Sequence, residues 1–288
     1  MHTPESLAAM AWQFRRDGFL HVRGLFTRAE LERFGAAVDV AVATRKARDT
    51  RKLEEKTPYE QSFIQCQYLW EDFPDIRGLT FHPRVGEIAA ALTNATRVRL
   101  WHDQALYKEA GGRETEAHQD QPYWPIAERD TVTIWIPLGE VDERSGCMGY
   151  VPGSHVGEAE FIDIFNTPGD GKRLQEKFAT PPVFVRCALG DAIFHNGFTV
   201  HMAKANQSDH TRRVYTAIYF RDGCTRAGTR AHPSVDRTGI QIGATIDGPA
   251  TPVAWPLARG EFPTPGPWPD LGTEKQIRAR QLGIIPRS

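Results

Sequence analysis

Cysteine is scarce in this chain: there are four in 288 residues. Cys66, Cys147, Cys187 and Cys224 show none of the paired spacings that hold zinc or build a disulfide framework. That scarcity excludes a disulfide-stapled scaffold and fits a reduced, cytoplasmic protein. Long apolar runs are missing too, and none approaches the ~18 residues of a membrane span. The brief N-terminal patch Leu7–Trp12, preceded by Glu5, makes no secretory signal, and the terminal Pro286-Arg287-Ser288 is no peroxisomal address. Net charge is almost absent, with 35 Lys and Arg against 36 Asp and Glu. No broad field therefore attracts nucleic acid or an anionic membrane. No internal repeat is present. These absences leave a globular protein with a small-molecule partner and an open oligomeric state.

What is present reads first as helix and then as strand. Leu7, Met10, Ala11 and Phe14 recur at helical spacing, and Gly18 closes that helix. Phe19 to Phe26 reads as a strand. Thr27-Arg28-Ala29-Glu30 is a capping box. It opens a helix with Leu31, Phe34, Val38 and Val42 on its apolar face, and the basic run from Arg45 to Lys52 reads as that helix's solvated end. Arg84 to Thr93 is a short helix closed near Asn94. Thereafter come Val98–Tyr107, the alternating Thr131–Ile136 ended by Pro137, and β-rich pieces at Val151, Val183–Val185, Ala192–Phe194 and Val214–Phe220. Turns such as Gly111-Gly112, Pro152-Gly153 and Leu189-Gly190-Asp191 separate them. Many short strands punctuated this way predict a mainly β protein with flanking helices and a jelly-roll or barrel core. The expected organisation is one domain: 1–95 helical support and lid segments, 96–222 the β core, and 223–288 a Pro-rich end. Residues 248–269 carry Trp255, Phe262 and Trp268 among their prolines, which suits either a wrap around the barrel or a free tail.

The chemistry centres on His118-Gln119-Asp120. In an extended segment alternate side chains share a face, so His118 and Asp120 point one way and Gln119 the other. With a distant His201 they make a set of two histidines and one carboxylate on one face of an ion. Such a set, with open positions opposite, is the signature of non-haem Fe(II) oxygenases. Arg212, eleven residues after His201, offers a planar cationic fork for a carboxylate. Together these residues point to an iron enzyme that uses a 2-oxo acid. Each histidine alone reads as a surface or hydrogen-bonded core residue, so the inference rests on the conjunction. His201 follows the strand Asp191–His195 and Arg212 opens the next, positions that can converge at one barrel mouth.

Four blocks of the sequence resemble the phytanoyl-CoA dioxygenase family in order and approximate spacing. They are Glu116 to Pro125, Ser145 to His155, Gly190 to His195, and Val200-His201 with Arg212-Arg213. Asp17-Gly18-Phe19 to Leu25-Phe26 resembles the family's opening, so the likeness spans roughly residues 12 to 222. The resemblance implies a double-stranded β-helix (a cupin-like jelly roll), Fe(II), 2-oxoglutarate and O₂. It implies that His118, Asp120 and His201 ligate iron and that Arg212, rather than the adjacent Arg213, pairs with the far carboxylate of 2-oxoglutarate. Ala203 stands where some relatives place a serine that helps hold that carboxylate. Thr133 or a tyrosine then substitutes, or the arginine acts alone. Asp120 occupies the position that halogenating relatives leave free for chloride, which favours hydroxylation.

By the same resemblance Gln104 and Lys108, four apart on one strand, contact the inner end of 2-oxoglutarate or the substrate, unless Lys108 is a surface lysine. Trp135 packs on the co-substrate or is a core tryptophan. Gln67, Gln119, Tyr123 and Trp124 are candidates for the substrate pocket. His155 and His195 read as structural, and His102, His210 and His232 carry no signal. The expected activity is hydroxylation of a small organic metabolite or natural product. A desaturase, epoxidase or ring-forming oxidase, or an acyl-CoA hydroxylase, could use the same site. A β-helix binding protein without turnover is the alternative from another class.

Overall fold

The computed structural model describes residues 2–164, 169–258, 261–269 and 274–286. Helix α1 (Pro4–Asp17) starts at Thr3, whose hydroxyl accepts the Ser6 N–H, and stops at Gly18, whose left-handed φ of 81° lets its N–H reach Phe14 O. Helix α2 (Arg28–Lys46) begins with the expected capping box at Thr27 and Glu30, and Leu31, Phe34, Val38 and Val42 are all buried. Its basic end differs from the solvated face that the sequence suggests. Arg45 is buried because it is ion-paired with Asp72 at 2.7 Å.

Eleven strands are present among the described residues: β1 (Phe19–Val22), β2 (Ile64–Gln67), β3 (Val98–Tyr107), β4 (Thr115–His118), β5 (Thr131–Pro137), β6 (Met148–Tyr150), β7 (Val183–Val185), β8 (Ala192–Asn196), β9 (His201–Ala203), β10 (Val214–Arg221) and β11 (Val253–Trp255). They form a seven-stranded sheet, β1-β8-β5-β10-β3-β11 with β2 also on β3, and a four-stranded sheet, β4-β9-β6-β7. The two sheets and the flanking helices make a jelly roll. Strand β1 stops at Val22, short of the Phe26 expected from sequence. Gly24 turns the chain at φ 60° and donates its N–H to the Asp191 carboxylate at 2.9 Å.

The large sheet has two buried faces. One carries Val132, Ile134, Ile136, Phe194, Tyr215 and Ala217, packed against α2 and the helix Pro83–Leu92. The other carries Trp135, Ile193 and Val214, packed against Met148, Tyr150, Val185 and Ala203 of the small sheet. Thr131–Pro137 alternates in sequence like a half-exposed strand, yet all seven of its residues are buried, because helices cover one face and the second sheet covers the other. The face between the sheets also carries polar groups, and these build the site.

Near the C-terminus, β11 pairs with β3. Trp255 presses so close to Gly86 that a Cβ there would lie 2.5 Å from Trp255 Cβ. Trp268 donates its indole N–H to Glu71 at 2.6 Å, beneath the Arg237 guanidinium. Phe262 lies 6.0 Å from Phe81 and remains 48% exposed. Among the described residues no helix is long and apolar enough to cross a membrane.

Candidate metal centre and co-substrate pocket

Strand β4 ends at His118 and β9 begins at His201, and the antiparallel register sets the two opposite each other. Their ring centroids are 4.2 Å apart. Each imidazole uses Nδ1 on a backbone carbonyl, His118 on Glu116 O at 2.7 Å and His201 on Thr199 O at 2.9 Å. Those bonds assign the proton to Nδ1 and leave each Nε2 lone pair free, the arrangement that orients histidine as a metal ligand. Asp120 lies two residues past β4, with Oδ1 3.7 Å from His118 Nε2 and 3.6 Å from His201 Nε2. The three donor atoms lie within 4.8 Å of one another.

Burial pushes both imidazoles down to about 4, so both are neutral at pH 7. Burial alone would raise Asp120, but His201, His195 and His118 outweigh it and hold the carboxyl well below its usual range. Two neutral nitrogens and one ionised oxygen on a common face fit a divalent iron with open positions opposite.

The second Asp120 oxygen is held as firmly as the ring nitrogens. His195 Nε2 lies 3.1 Å from Oδ2, and the Thr133 hydroxyl donates to the same oxygen at 3.1 Å. The register of β5 on β8 places Thr133 directly opposite His195. His195 is buried beside the metal ligands and positions one of them. One expectation changes here. Thr133 serves Asp120 rather than the far carboxylate, since it pairs with Ile218, six residues along the chain from Arg212. That is roughly 20 Å of strand.

Arg212 sits at the other end of the same interior. It bridges Lys108 through the backbone just ahead of β10. Its side chain is buried, donates from Nη1 to Gly146 O, and stands 5.5 Å above the Trp135 ring. Trp135 is thus both a member of the apolar core and the floor under Arg212. Burial lowers the guanidinium to about 10, which leaves it cationic at pH 7. Its Nε has no partner, and neither does the buried hydroxyl of Tyr150 or of Thr216. Unpaired buried donors around a cation are what an incoming carboxylate satisfies. Arg213 points the other way, half-exposed and ion-paired with Asp39.

Lys108 is wholly buried, not a surface lysine. It lies at the Arg212 end, and its amine donates to Arg113 O and to Thr115 Oγ1, 3.3 Å away. It therefore closes the loop before β4 instead of meeting the inner end of a ligand. Burial and Arg212 together push its amine down to about 6. Gln104 faces Thr216 across β10 and Gln67 across β2. Its carbonyl oxygen accepts from Gln65 Nε2 at 2.8 Å, and Gln65 in turn accepts from Tyr59 at 3.2 Å.

The loop candidates divide. Gln119 is buried with both ends of its amide engaged, on Phe198 O at 2.7 Å and the Glu160 N–H at 2.8 Å. It braces the ligand loop and offers nothing to a pocket. The Tyr123 ring lies 6.4 Å from His118, and its hydroxyl donates to Ile162 O. Trp124 packs 6.4 Å from His102 and 6.5 Å from Trp101. His102, without signal in the sequence, is buried one alternation before Gln104 and faces Ile218 in the interior. Alternation along Val98–Tyr107 from Gln104 could have found it.

A second group, His21, Cys187 and Asp191, also lies within ligand spacing. It lines a cavity of about 930 Å³ together with Arg23, Arg144 and Arg212. Asp191 is already satisfied by His21 Nε2 at 3.0 Å and by the N–H groups of Gly24 and Ala188. The cluster is a buckle that closes β1 on β8.

The phytanoyl-CoA dioxygenase (PhyH) family matches residues 14–214, and the chain belongs to that family. Phytanoyl-CoA dioxygenase domain-containing protein 1 of Danio rerio is 28% identical over 169 residues, covering 55% of this chain and 57% of its own. A probable alpha-ketoglutarate-dependent hypophosphite dioxygenase of Stutzerimonas stutzeri is 34% identical over 134 residues, covering 42% and 45%. The matched stretch spans about half the length of the curated relatives. Among solved structures, the non-heme alpha ketoglutarate dependent carbocyclase SnoK superposes with a TM-score of 0.72 at 26% identity, over 88% of this chain and 96% of that one. The epimerase SnoN, in complex with Fe3+, alpha ketoglutarate and nogalamycin RO, superposes at 0.68 and 26%, over 88% and 100%.

Proposed function

We propose that this chain is an Fe(II)- and 2-oxoglutarate-dependent dioxygenase. It uses O₂ to hydroxylate a small organic metabolite or natural product and releases succinate and CO₂. One observation carries the reading: a single barrel interior holds two neutral imidazole nitrogens and an ionised carboxylate at one end and a buried, incompletely paired guanidinium at the other. His118, Asp120 and His201 would hold the iron, and Arg212 would hold the far carboxylate of 2-oxoglutarate. Bound iron supplies the O₂ activation that couples oxidative decarboxylation of the 2-oxo acid to attack on a C–H bond.

The chain's own residues do the rest. The carbonyls of Glu116 and Thr199 fix the two imidazoles, and His195 and Thr133 fix the carboxylate. Phe19, Trp135, Met148 and Ile193 belong to the buried apolar core between the sheets, which would give the reaction a dry surrounding. Asp120 fills the third protein position, which supports oxygen transfer over halogenation.

A second reading of the same site is a ring-forming or stereochemistry-changing oxidation, favoured by the likeness to a carbocyclase and an epimerase. Substrate placement over the metal decides between the two.

The test is succinate formation from 2-oxoglutarate by the iron-loaded protein under air, with a metabolite screen by mass spectrometry. Iron- and O₂-dependent succinate with a product 16 Da heavier (one oxygen) supports hydroxylation, a product 2 Da lighter supports ring formation, and a chromatographically distinct isomer of unchanged mass supports the stereochemical change. Succinate formation that persists in Asp120→Ala and His201→Ala contradicts both.

A further inference from the structure

The buckle between β1 and β8 holds one donor more than a hydrogen-bonded clasp uses. His21 Nε2 lies 3.0 Å from Asp191 Oδ2, and the Cys187 sulfur stands 4.0 Å from that same nitrogen. All three donor atoms lie within 4.8 Å of one another. A tetrahedral zinc, with bonds of ~2.0–2.1 Å to nitrogen and oxygen and ~2.3 Å to sulfur, sets its ligand atoms roughly 3.3–3.6 Å apart. The two printed spacings fall on either side of that range, so small side-chain shifts admit the ion.

Each donor is fixed from behind. The pairing of β1 with β8 sets His21 opposite Ile193. Cys187 exchanges backbone hydrogen bonds with Val141 at 2.9 Å in both directions. Asp191 Oδ1 accepts from the Gly24 N–H and Oδ2 from the Ala188 N–H, which orients the carboxylate as outer partners orient metal ligands. Cys187 and Asp191 are buried, and His21 is half-buried, on the wall of the cavity they share with Arg23 and Arg144. That cavity supplies an entry path and room for water at a fourth position. The thiol, raised to about 12 by burial and by Asp191, is protonated without metal, and coordination displaces that proton. One thiolate, one carboxylate and a neutral imidazole cancel the two charges of the ion, so the neighbouring arginines meet an uncharged complex. A sulfur ligand in the set favours zinc over magnesium or calcium. Asp191 stands four residues from His195 along the chain, about 13 Å of strand, which separates this cluster from His118, Asp120 and His201.

We propose that His21, Cys187 and Asp191 form a second metal site, which takes Zn²⁺ and leaves a fourth position open to the cavity. The proposal is independent of the reading of the iron centre. Bound zinc clamps β1 to the turn that leads into β8.

The experiment strips the full-length protein with chelator and titrates it anaerobically with Co(II). A cobalt–thiolate bond gives a charge-transfer absorption that nitrogen and oxygen ligands do not. His201→Ala disables the iron centre, and that variant is expected to bind one equivalent of Co(II) with the thiolate band. Adding Cys187→Ser puts an oxygen in place of the sulfur and should remove the band. It should also weaken Zn²⁺, measured by competition with a chromophoric chelator, by at least the ~100-fold that loss of an outer-shell partner can cost. Zinc should raise the melting temperature of His201→Ala and leave that of the double variant unmoved. His21→Ala in the same background should act like Cys187→Ser. Cys187→Ser carries the test even if His21→Ala, which also loses the bond to Asp191, fails to fold. Absence of a thiolate band in His201→Ala overturns the proposal. So does a band that survives Cys187→Ser, which would move the sulfur ligand to Cys66, Cys147 or Cys224, and so does an unchanged zinc affinity in the double variant.

Discussion

At the metal end of the barrel interior each ligand is already gripped by a neighbour, whereas at the Arg212 end buried donors stand unpaired. His118 and His201 are tied through Nδ1 to backbone carbonyls, and Asp120 is tied through Oδ2 to His195 and Thr133. Arg212 keeps a free Nε, and the buried hydroxyls of Tyr150 and Thr216 are free as well. The contrast separates two design problems. A metal site needs its donors fixed before the ion arrives, because affinity follows from their orientation. A co-substrate site that fills and empties each turnover needs donors that are desolvated and waiting, because the ligand itself must complete them.

The largest effect should come from breaking the metal end. Asp120→Ala or His201→Ala is expected to abolish iron binding and turnover together, as iron analysis of the purified variants would show. Near-stoichiometric iron in either would remove that residue from the ligand set. Breaking the other end should leave iron in place. Arg212→Ala is expected to weaken 2-oxoglutarate on the order of 100-fold or more. Arg213→Ala, which loses a half-exposed pair with Asp39 and a hydrogen bond to Leu138 O, should change it little. The reverse order in a calorimetric titration would exchange the two arginines and with them the inward face of the strand.

A finer break lies behind Asp120. His195→Ala is expected to lower iron affinity by about 10- to 100-fold, with His195→Gln recovering part of the loss through its amide N–H. Equal iron affinity in all three proteins would make the His195 contact incidental. The smallest expected effect is on stability. His102, His118 and His201 each titrate near 4 when folded, below the ordinary imidazole value, chiefly through burial. Between pH 6.5 and 4 the unfolded chain therefore binds more protons than the folded one, so these residues make the metal-free protein less stable as pH falls through that window. Their contribution is fully favourable above 6.5. His118→Gln should flatten the drop in melting temperature between pH 7 and pH 5. An unaltered slope would mean that other groups control it.

What could be read in the sequence was whatever neighbours in the chain decide. The capping box at Thr27 and Glu30, the glycine stop at Gly18 and the ten-residue strand Val98–Tyr107 are local signals, and each element appears where its signal stands. Alternation set His118 apart from Gln119 and allowed only one of Arg212 and Arg213 to point inward, and the family resemblance chose Arg212. What could not be read depends on which strand lies beside which. His195 meets Thr133 only through the β5–β8 register, and Tyr150 meets His201 only through β6–β9. Arg45 looked solvated until the chain brought Asp72 to it. Gln119 was one of several pocket candidates until the segments at Phe198 and Glu160 claimed both ends of its amide.

The contrast between the two ends is tested most directly by anaerobic calorimetry of 2-oxoglutarate binding to four proteins: wild type with Fe(II), wild type without metal, Asp120→Ala with Fe(II), and Arg212→Ala with Fe(II). The account predicts tight binding to the first and marked weakening in each of the others, with iron retained by Arg212→Ala and lost from Asp120→Ala. Equal affinity for 2-oxoglutarate across all four would contradict it.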